Sequence, residues 1–280
     1  MAIDLHVHTT ASDGTLSPTA VVQYAKNRGL EAIAVTDHDT VEGLAEAVAA
    51  GLSVGFEVVP GVEISAEFPA GALHILGYYI DFNDSSLLQR LSVLQNARAE
   101  RNPKIVRKLQ SLGFSISFDE VVQEAGGGLV GRPHFAQVLL KKGCVKSLQE
   151  AFDKFLKKGA PAYEEKFRFP PEEAISMIVD AGGIPVLGHP VTLNCNGQQL
   201  EAKVKEWKKQ GLQGIEVYYS DHDAAQTRQY EMLARTCGLI PTGGSDFHGS
   251  MIKGIELGIG KGNLDIPYSI LQELKQKKFN

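Results

Sequence analysis

Short apolar runs alternate with amphipathic stretches through the first 80 residues. Ile3-Asp4-Leu5-His6-Val7-His8 reads as a strand ending in two histidines spaced i, i+2, which places both imidazoles on one face. Ser17-Pro18 opens a helix running to about Arg28, where Gly29 stops it. Residues 32–36 form a continuous apolar run of the buried parallel-strand kind. A second helix is expected over residues 41–50, closed by Gly51, and residues 58–65 and 73–78 follow as strands. Strands separated by helices in this way predict βα units and a mostly parallel sheet or barrel.

The pattern changes at Ser85. Residues 85–125 are helical in period and rich in Leu, Gln, Arg and Lys, with Pro103 expected to break or kink them. Helical patterns resume over residues 135–142 and 147–157. This stretch predicts a helical insertion at residues 85–165, flanked by barrel segments 1–84 and 166–280. The βα rhythm then returns, with helices over residues 171–181, 201–210 and 223–237. Strands follow each of them, ending near Gly188-His189, Glu216-Val217-Tyr218 and Gly243-Gly244. A short strand near residues 256–260 and a last helix over residues 267–277 complete the chain. Neither an internal repeat nor a low-complexity tract is present.

Charge and composition narrow the function. A net charge of −5 over 280 residues argues against a broad basic surface for duplex nucleic acid and leaves room for a small nucleotide held by metals. No apolar run is long enough to cross a bilayer, and the first strand, with Asp4 and His6 inside it, does not read as a signal peptide. Cys144, Cys195 and Cys237 are scattered and odd in number, which fits a reducing cytoplasm rather than a disulfide framework.

Metal-binding residue types recur where strands give way to loops: His6, His8, Asp13, His38, Glu63, His74, His134, His189, Asp246 and His248. In a parallel α/β architecture the carboxyl ends of strands gather on one face, so residues far apart in sequence meet there. Ten donors exceed the four to six that one ion takes, so two or three ions with a bridging carboxylate are implied. Imidazole and carboxylate without thiolate suit manganese, zinc or iron(II). Each residue alone has a plainer reading. A histidine at a strand end is often a hydrogen-bonded structural residue, Asp13-Gly14 is a turn pair, and Asp37 or Asp39 could cap the following helix. His222, in Ser220-Asp221-His222, reads equally as substrate-proximal or structural.

The His-x-His-x4-Asp opening, Thr36-Asp37-His38-Asp39, Gly61-Val62-Glu63, Gly188-His189-Pro190 and Ser245-Asp246-x-His248 together resemble the PHP (polymerase and histidinol phosphatase) family. Within it, the 3′,5′-nucleoside bisphosphate phosphatases and 5′-to-3′ oligoribonucleases are the most similar branch. The resemblance implies a distorted (β/α)7 barrel with a helical insertion and a site for two to three divalent ions, manganese first among them. It implies that His6, His8, Glu63 and Asp246 hold one ion. Glu63 would bridge to a second held by His74 and His134, and Asp13, His38 and His248 would hold a third. His189 would face the phosphate as a hydrogen-bond donor or serve as an alternative ligand, and Arg132 would clamp the phosphate with its guanidinium fork. Asp246, His189 and Arg132 are thus the expected catalytic group, with Arg132, His189 and His222 toward substrate. Hydrolysis by a hydroxide held between metals is the implied chemistry.

Nucleotide or short oligonucleotide substrates are therefore expected, with no membrane and no obligate protein partner. Three alternatives stand beside this one: a small-metabolite phosphatase such as one for histidinol phosphate, a C–N-cleaving amidohydrolase, and a PHP-like module with a decayed site. The complete donor set argues against the last of these.

Overall fold

The computed structural model describes residues 2–279. Seven strands, β1 (Ile3–Val7), β2 (Ala32–Val35), β3 (Glu57–Ala66), β4 (Leu73–Tyr78), β5 (Ile184–Leu187), β6 (Gly214–Tyr219) and β7 (Ile240–Gly244), lie side by side in sequence order. The helices are α1 (Pro18–Asn27), α2 (Leu44–Val54), α3 (Ser85–Ser111), α4 (Phe118–Glu124), α5 (Arg132–Lys141), α6 (Leu148–Ala151), α7 (Pro171–Asp180), α8 (Gly197–Lys209), α9 (Ala224–Cys237) and α10 (Tyr268–Phe279). The last strand returns to the first: Val7 bridges Phe247 in parallel, His8 N–H donates to Phe247 O at 2.9 Å and Asp246 N–H to His6 O at 3.0 Å. A side chain at Gly244 would collide with the His6 backbone, so the closure needs glycine there. The fold is a seven-stranded barrel, within the sheet-or-barrel class that the alternation predicts and in the distorted form that the resemblance implies.

One strand departs from the parallel pattern. β4 runs antiparallel to both β3 and β5. The link from β3 to β4 is too short for a parallel crossover, so it makes a hairpin. The reversal brings the start of β4 to the face where the other strands end, and His74 sits opposite Ser65.

Alternation along the strands sorts the core. Ala32, Ala34, Leu76 and Val186 pack with Ile270, Leu271 and Leu274 of α10. The alternate positions Ile33, Val35, Ile75 and Leu187 pack with residues of the surrounding helices, including Val21, Ala47, Ile178 and Val204. Each such aliphatic side chain contributes roughly 1.5–3 kcal/mol on burial.

Two helices differ from their sequence expectation. α2 runs through Gly51 to Val54 and ends at Gly55, whose φ of 64° gives the left-handed cap. Gly51 is a packing glycine instead: a Cβ there would lie 2.7 Å from Phe56 O. α3 continues unbroken through Pro103. Both halves of α3 are anchored, Leu87, Leu91 and Leu94 in the barrel cluster and Ile105, Val106 and Leu109 in a second cluster with Phe135, Leu139 and Leu156. That packing outweighs the proline's lost hydrogen bond, about 3 kcal/mol. The stretch near residues 256–260 forms a single Glu256–Gly260 bridge rather than a strand.

Candidate metal centre

Three groups of metal-ligating side chains converge at the barrel mouth: His6, His8, Glu63 and Asp246; His8, Asp13, His38 and His248; and His38, Glu63 and His74. Glu63 is fully buried at the centre. Its Oε2 lies 3.4 Å from His6 Nε2, 3.2 Å from His8 Nε2 and 2.9 Å from His38 Nδ1. Its Oε1 lies 2.6 Å from His74 Nδ1 and 2.9 Å from His189 Nε2. Asp246 Oδ1 stands 3.0 Å from His8 Nε2 and 3.4 Å from His6 Nε2. His248 Nε2 stands 3.3 Å from Asp13 Oδ1.

These separations suit cation ligation, because donors bound at ~2.1 Å to one ion sit roughly 3 Å apart. The unpaired atoms point the same way. His6 Nε2, His8 Nε2, His38 Nδ1 and Glu63 Oε2 are all buried without a hydrogen-bond partner, and all four meet at Glu63. Orphaned buried polar atoms are rare and costly, and cations bound between them would satisfy all four. The donor set therefore fits divalent ions.

The far ring nitrogens fix the tautomers. His6 Nδ1 lies 2.9 Å from the carboxylate of buried Glu216, which can only accept, so Nδ1 carries the proton and Nε2 is free. His248 Nδ1 likewise donates to Asp246 O at 2.8 Å. Thr192 Oγ1 donates to Ala72 O at 2.8 Å and so accepts from His189 Nδ1 at 3.0 Å, leaving His189 Nε2 free toward Glu63. Such outer partners orient metal-binding imidazoles.

Loop supports complete the cradle. Asp37 accepts from Thr9 N–H at 2.8 Å and Thr9 Oγ1 at 2.7 Å, and also from Ser12, holding the loop between His8 and Asp13. It does not cap α2. Tyr219 OH donates to Asp246 Oδ2 at 3.0 Å, turning the other oxygen toward the histidines. Asp246 takes this pose at φ 59°, a left-handed conformation that costs free energy and that aspartate tolerates better than most residues.

Charge balance in the cluster favours a cation. Burial alone would raise the Glu63 carboxyl, but His38, His74 and His6 hold it well below the usual carboxylate range. Burial opposes a proton on His8, yet Asp246 and Glu63 outweigh it and lift the imidazole to about 10. Burial, with His189 and His38, holds His74 down at about 4 against the pull of Glu63.

One sequence expectation changes and another narrows. His134 does not join His74. It accepts the Gly131 N–H on Nδ1 at 3.0 Å at the start of α5, so the lone pair of that nitrogen is used within the helix turn. His189 stands in its place, its Nε2 3.2 Å from His74 Nδ1 with both on Glu63 Oε1, which favours the alternative-ligand role over that of a free donor toward substrate. His222 lies behind the site. Its Nδ1 contacts Val217 O at 2.8 Å and its ring packs on Tyr219 and Tyr230.

Arg132 sits in a cationic group that residue patterns alone do not reveal. Its Nη1 donates to Leu156 O at 3.1 Å, and its guanidinium lies over the Phe152 and Tyr163 rings. Among the described residues it makes no ion pair, so its charge is not spent on a carboxylate. Arg98, Arg101 and Arg168 lie near it, and Lys166 lies beside Arg98 and Arg168; Arg98, Arg101 and Lys166 are buried. Asp39 takes Arg98 Nη2 at 2.6 Å and Lys166 Nζ at 2.8 Å on one oxygen, and Glu165 pairs Arg168. Arg101 bonds only its neighbour Asn102, and burial with Arg98, Arg132 and Arg168 holds it down at about 9. A Cβ on Gly131 would lie 3.7 Å from both Arg98 Nη1 and Asp13 Oδ2, so the cations abut the metal-ligating cluster.

The PHP domain model matches residues 4–159. The chain belongs to the PHP domain family. A 3′,5′-nucleoside bisphosphate phosphatase of Chromobacterium violaceum is 34% identical to it, over 88% of this chain and 87% of that protein. A 5′-3′ exoribonuclease of Haemophilus influenzae is 35% identical over 96% of both. A solved structure described as an amidohydrolase from Chromobacterium violaceum, with bound sulfate and no metal, superposes with a TM-score of 0.90 at 33% identity, covering 99% of this chain and 97% of that one. No helix among the described residues is long and apolar enough to cross a membrane.

Proposed function

We propose that this chain is a metal-dependent phosphoric ester hydrolase acting on nucleotides that carry a second phosphate, either a nucleoside 3′,5′-bisphosphate or the 5′ end of a short oligoribonucleotide. The observation that carries this reading is the adjacency of two charged groups: the orphaned lone pairs around Glu63, and a cationic group of buried Arg98, Arg101 and Lys166 with half-buried Arg132 and Arg168, which meets Asp13 at Gly131. One group suits cations at a scissile phosphate, the other a second anion. The named activities of the bacterial relatives support it.

In this reading His6, His8, Glu63 and Asp246 hold one ion, and His74, His189 and Glu63 a second. Asp13, His38 and His248, with His8, hold a third. Manganese is the first candidate and zinc or iron(II) the alternatives. When bound, the ions would supply Lewis acidity toward a phosphoryl oxygen and toward water. The chain's own residues do the rest. Arg132, Arg101 and Arg98 bind the second phosphate, the first two with guanidinium donors that no carboxylate occupies. Tyr219 holds Asp246 in position, and the helices around α5 shield the nucleotide from water.

Phosphate release with Mn(II) tests the reading, comparing adenosine 3′,5′-bisphosphate, a 5′-phosphorylated dinucleotide and histidinol phosphate. Turnover of the first two well above the third is expected. Faster hydrolysis of histidinol phosphate would replace this reading with the small-metabolite one.

A further inference from the structure

β6 carries one carboxylate that no catalytic reading of the sequence uses. Glu216 lies within the otherwise apolar Gly214-Ile215-Glu216-Val217 and is fully buried. A lone acid inside a strand core is costly unless each oxygen is bonded. Both are. Oε1 takes the proton of His6 Nδ1 at 2.9 Å, and Oε2 accepts the His189 backbone N–H at 2.7 Å. The pairing of β1 with β2 is irregular around His6, and that of β6 with β7 is irregular around Glu216. Bulges of this kind re-aim side chains next to sites. The His6 and His189 rings stack at 5.6 Å, each with its free Nε2 turned to a different oxygen of Glu63.

We propose that Glu216 is a positioning residue that sets the His6 tautomer and ties His6 to His189, so that one buried acid aligns ligands of two separate ion sites. The inference rests on the metal-centre reading above. Its chemical content is an acceptor requirement at His6 Nδ1. A carboxylate can only accept there, so the proton stays on Nδ1 and Nε2 keeps its lone pair for a cation. An amide of the same shape behaves differently. Its oxygen is retained by the His189 N–H, so its NH2 faces His6 Nδ1 and drives the proton to Nε2, the metal-facing atom.

Titration of metal-free protein with Mn(II), reading free Mn(II) by electron paramagnetic resonance, tests this. Glu216→Gln should bind roughly 10–100-fold more weakly than the parent, the usual cost of losing an outer carboxylate partner. In a His6→Ala background the same substitution should cost little more, because the ring it acts through is gone. Parent-like affinity in Glu216→Gln would overturn the proposal, as would an undiminished loss in the His6→Ala background. Should Glu216→Gln fail to fold, Glu216→Asp keeps the charge one methylene short and should show a smaller loss in the same assay; parent affinity there would overturn it equally. A parent protein that binds no Mn(II) would sink the metal reading itself, and this proposal with it, an outcome distinct from parent binding that the substitution leaves intact.

Discussion

Arg98 of α3 donates to Asp39 Oδ2 from Nε at 3.0 Å and from Nη2 at 2.6 Å, joining the helical segment to the residue beside His38. Asp39 holds its pose at φ 53° and also accepts from Ser65 N–H at 2.8 Å, two residues beyond Glu63. One buried carboxylate thus fixes the cationic group against the candidate metal ligands.

Asp39→Asn leaves Arg98 and Lys166 buried with no counter-charge, and should destabilise the protein by about 3–5 kcal/mol. Burial would raise the Asp39 carboxyl, but Lys166 and Arg98 hold it far below the usual carboxylate range. A depressed acid stabilises above its unfolded pKa, ~3.9, and loses that contribution as pH falls below it. Urea unfolding of both proteins should therefore show a wide gap at neutral pH that narrows below pH 4. A gap that widens on acidification would show that the carboxylate is not paired in this way.

Lys166 makes the opposite contribution. Burial, then Arg98, pushes its ammonium down to about 7 despite Asp39. Below pH 7 the folded protein carries a buried charge at a cost. Between pH 7 and ~10.4 the unfolded chain binds the extra proton, so stability rises with pH across that window. Lys166→Met should be more stable than the parent at pH 6, by a few kcal/mol, with the difference gone near pH 10. It should also lose much of the stabilisation that added sulfate gives the parent, which thermal melts with and without the anion would read. Equal anion stabilisation would remove Lys166 from the anion site.

Removing the ions reverses the charge problem at the other cluster. His8 is raised to about 10 in the metal-free site, well above its unfolded 6.5. A raised histidine stabilises fully below the unfolded pKa and loses that contribution as pH climbs through the folded one. The stability that chelator-treated protein draws from His8 should therefore fall between pH 6.5 and 10, while metal-loaded protein is spared that loss. Adding Mn(II) at pH 7 should release protons, measurable in weakly buffered solution. Metal binding without proton release would contradict a protonated resting cluster.

How much of this could be read from residues alone differs between the two charged groups. The metal-ligating cluster was legible because strand ends in an α/β barrel converge, so His6, Glu63 and Asp246 announce themselves by position in the chain. His189 was legible as a site residue with its role left open between donor and ligand, because the choice between it and His134 depends on which ring nitrogen is free. The cationic group was illegible apart from Arg132. Arg98 and Arg101 sit in a long helix with a solvated-looking pattern, where arginines ordinarily face water, and only tertiary packing buries them. Pro103 misled for the same reason, since anchoring at both ends of α3 overrides local propensity. Glu216 did leave a signal, an acid in the middle of an apolar strand, which marks a bonded carboxylate wherever the strand is buried.

The most direct test is the metal content of protein purified without chelator, measured by mass spectrometry for the parent, Glu63→Gln and His134→Asn. The parent and His134→Asn should each hold more than one manganese, iron or zinc ion per chain. Glu63→Gln should lose ions, because the two oxygens of Glu63 face different ligand sets. A parent chain with no more than one ion, or a Glu63→Gln chain that keeps the full complement, would contradict a shared multi-ion centre.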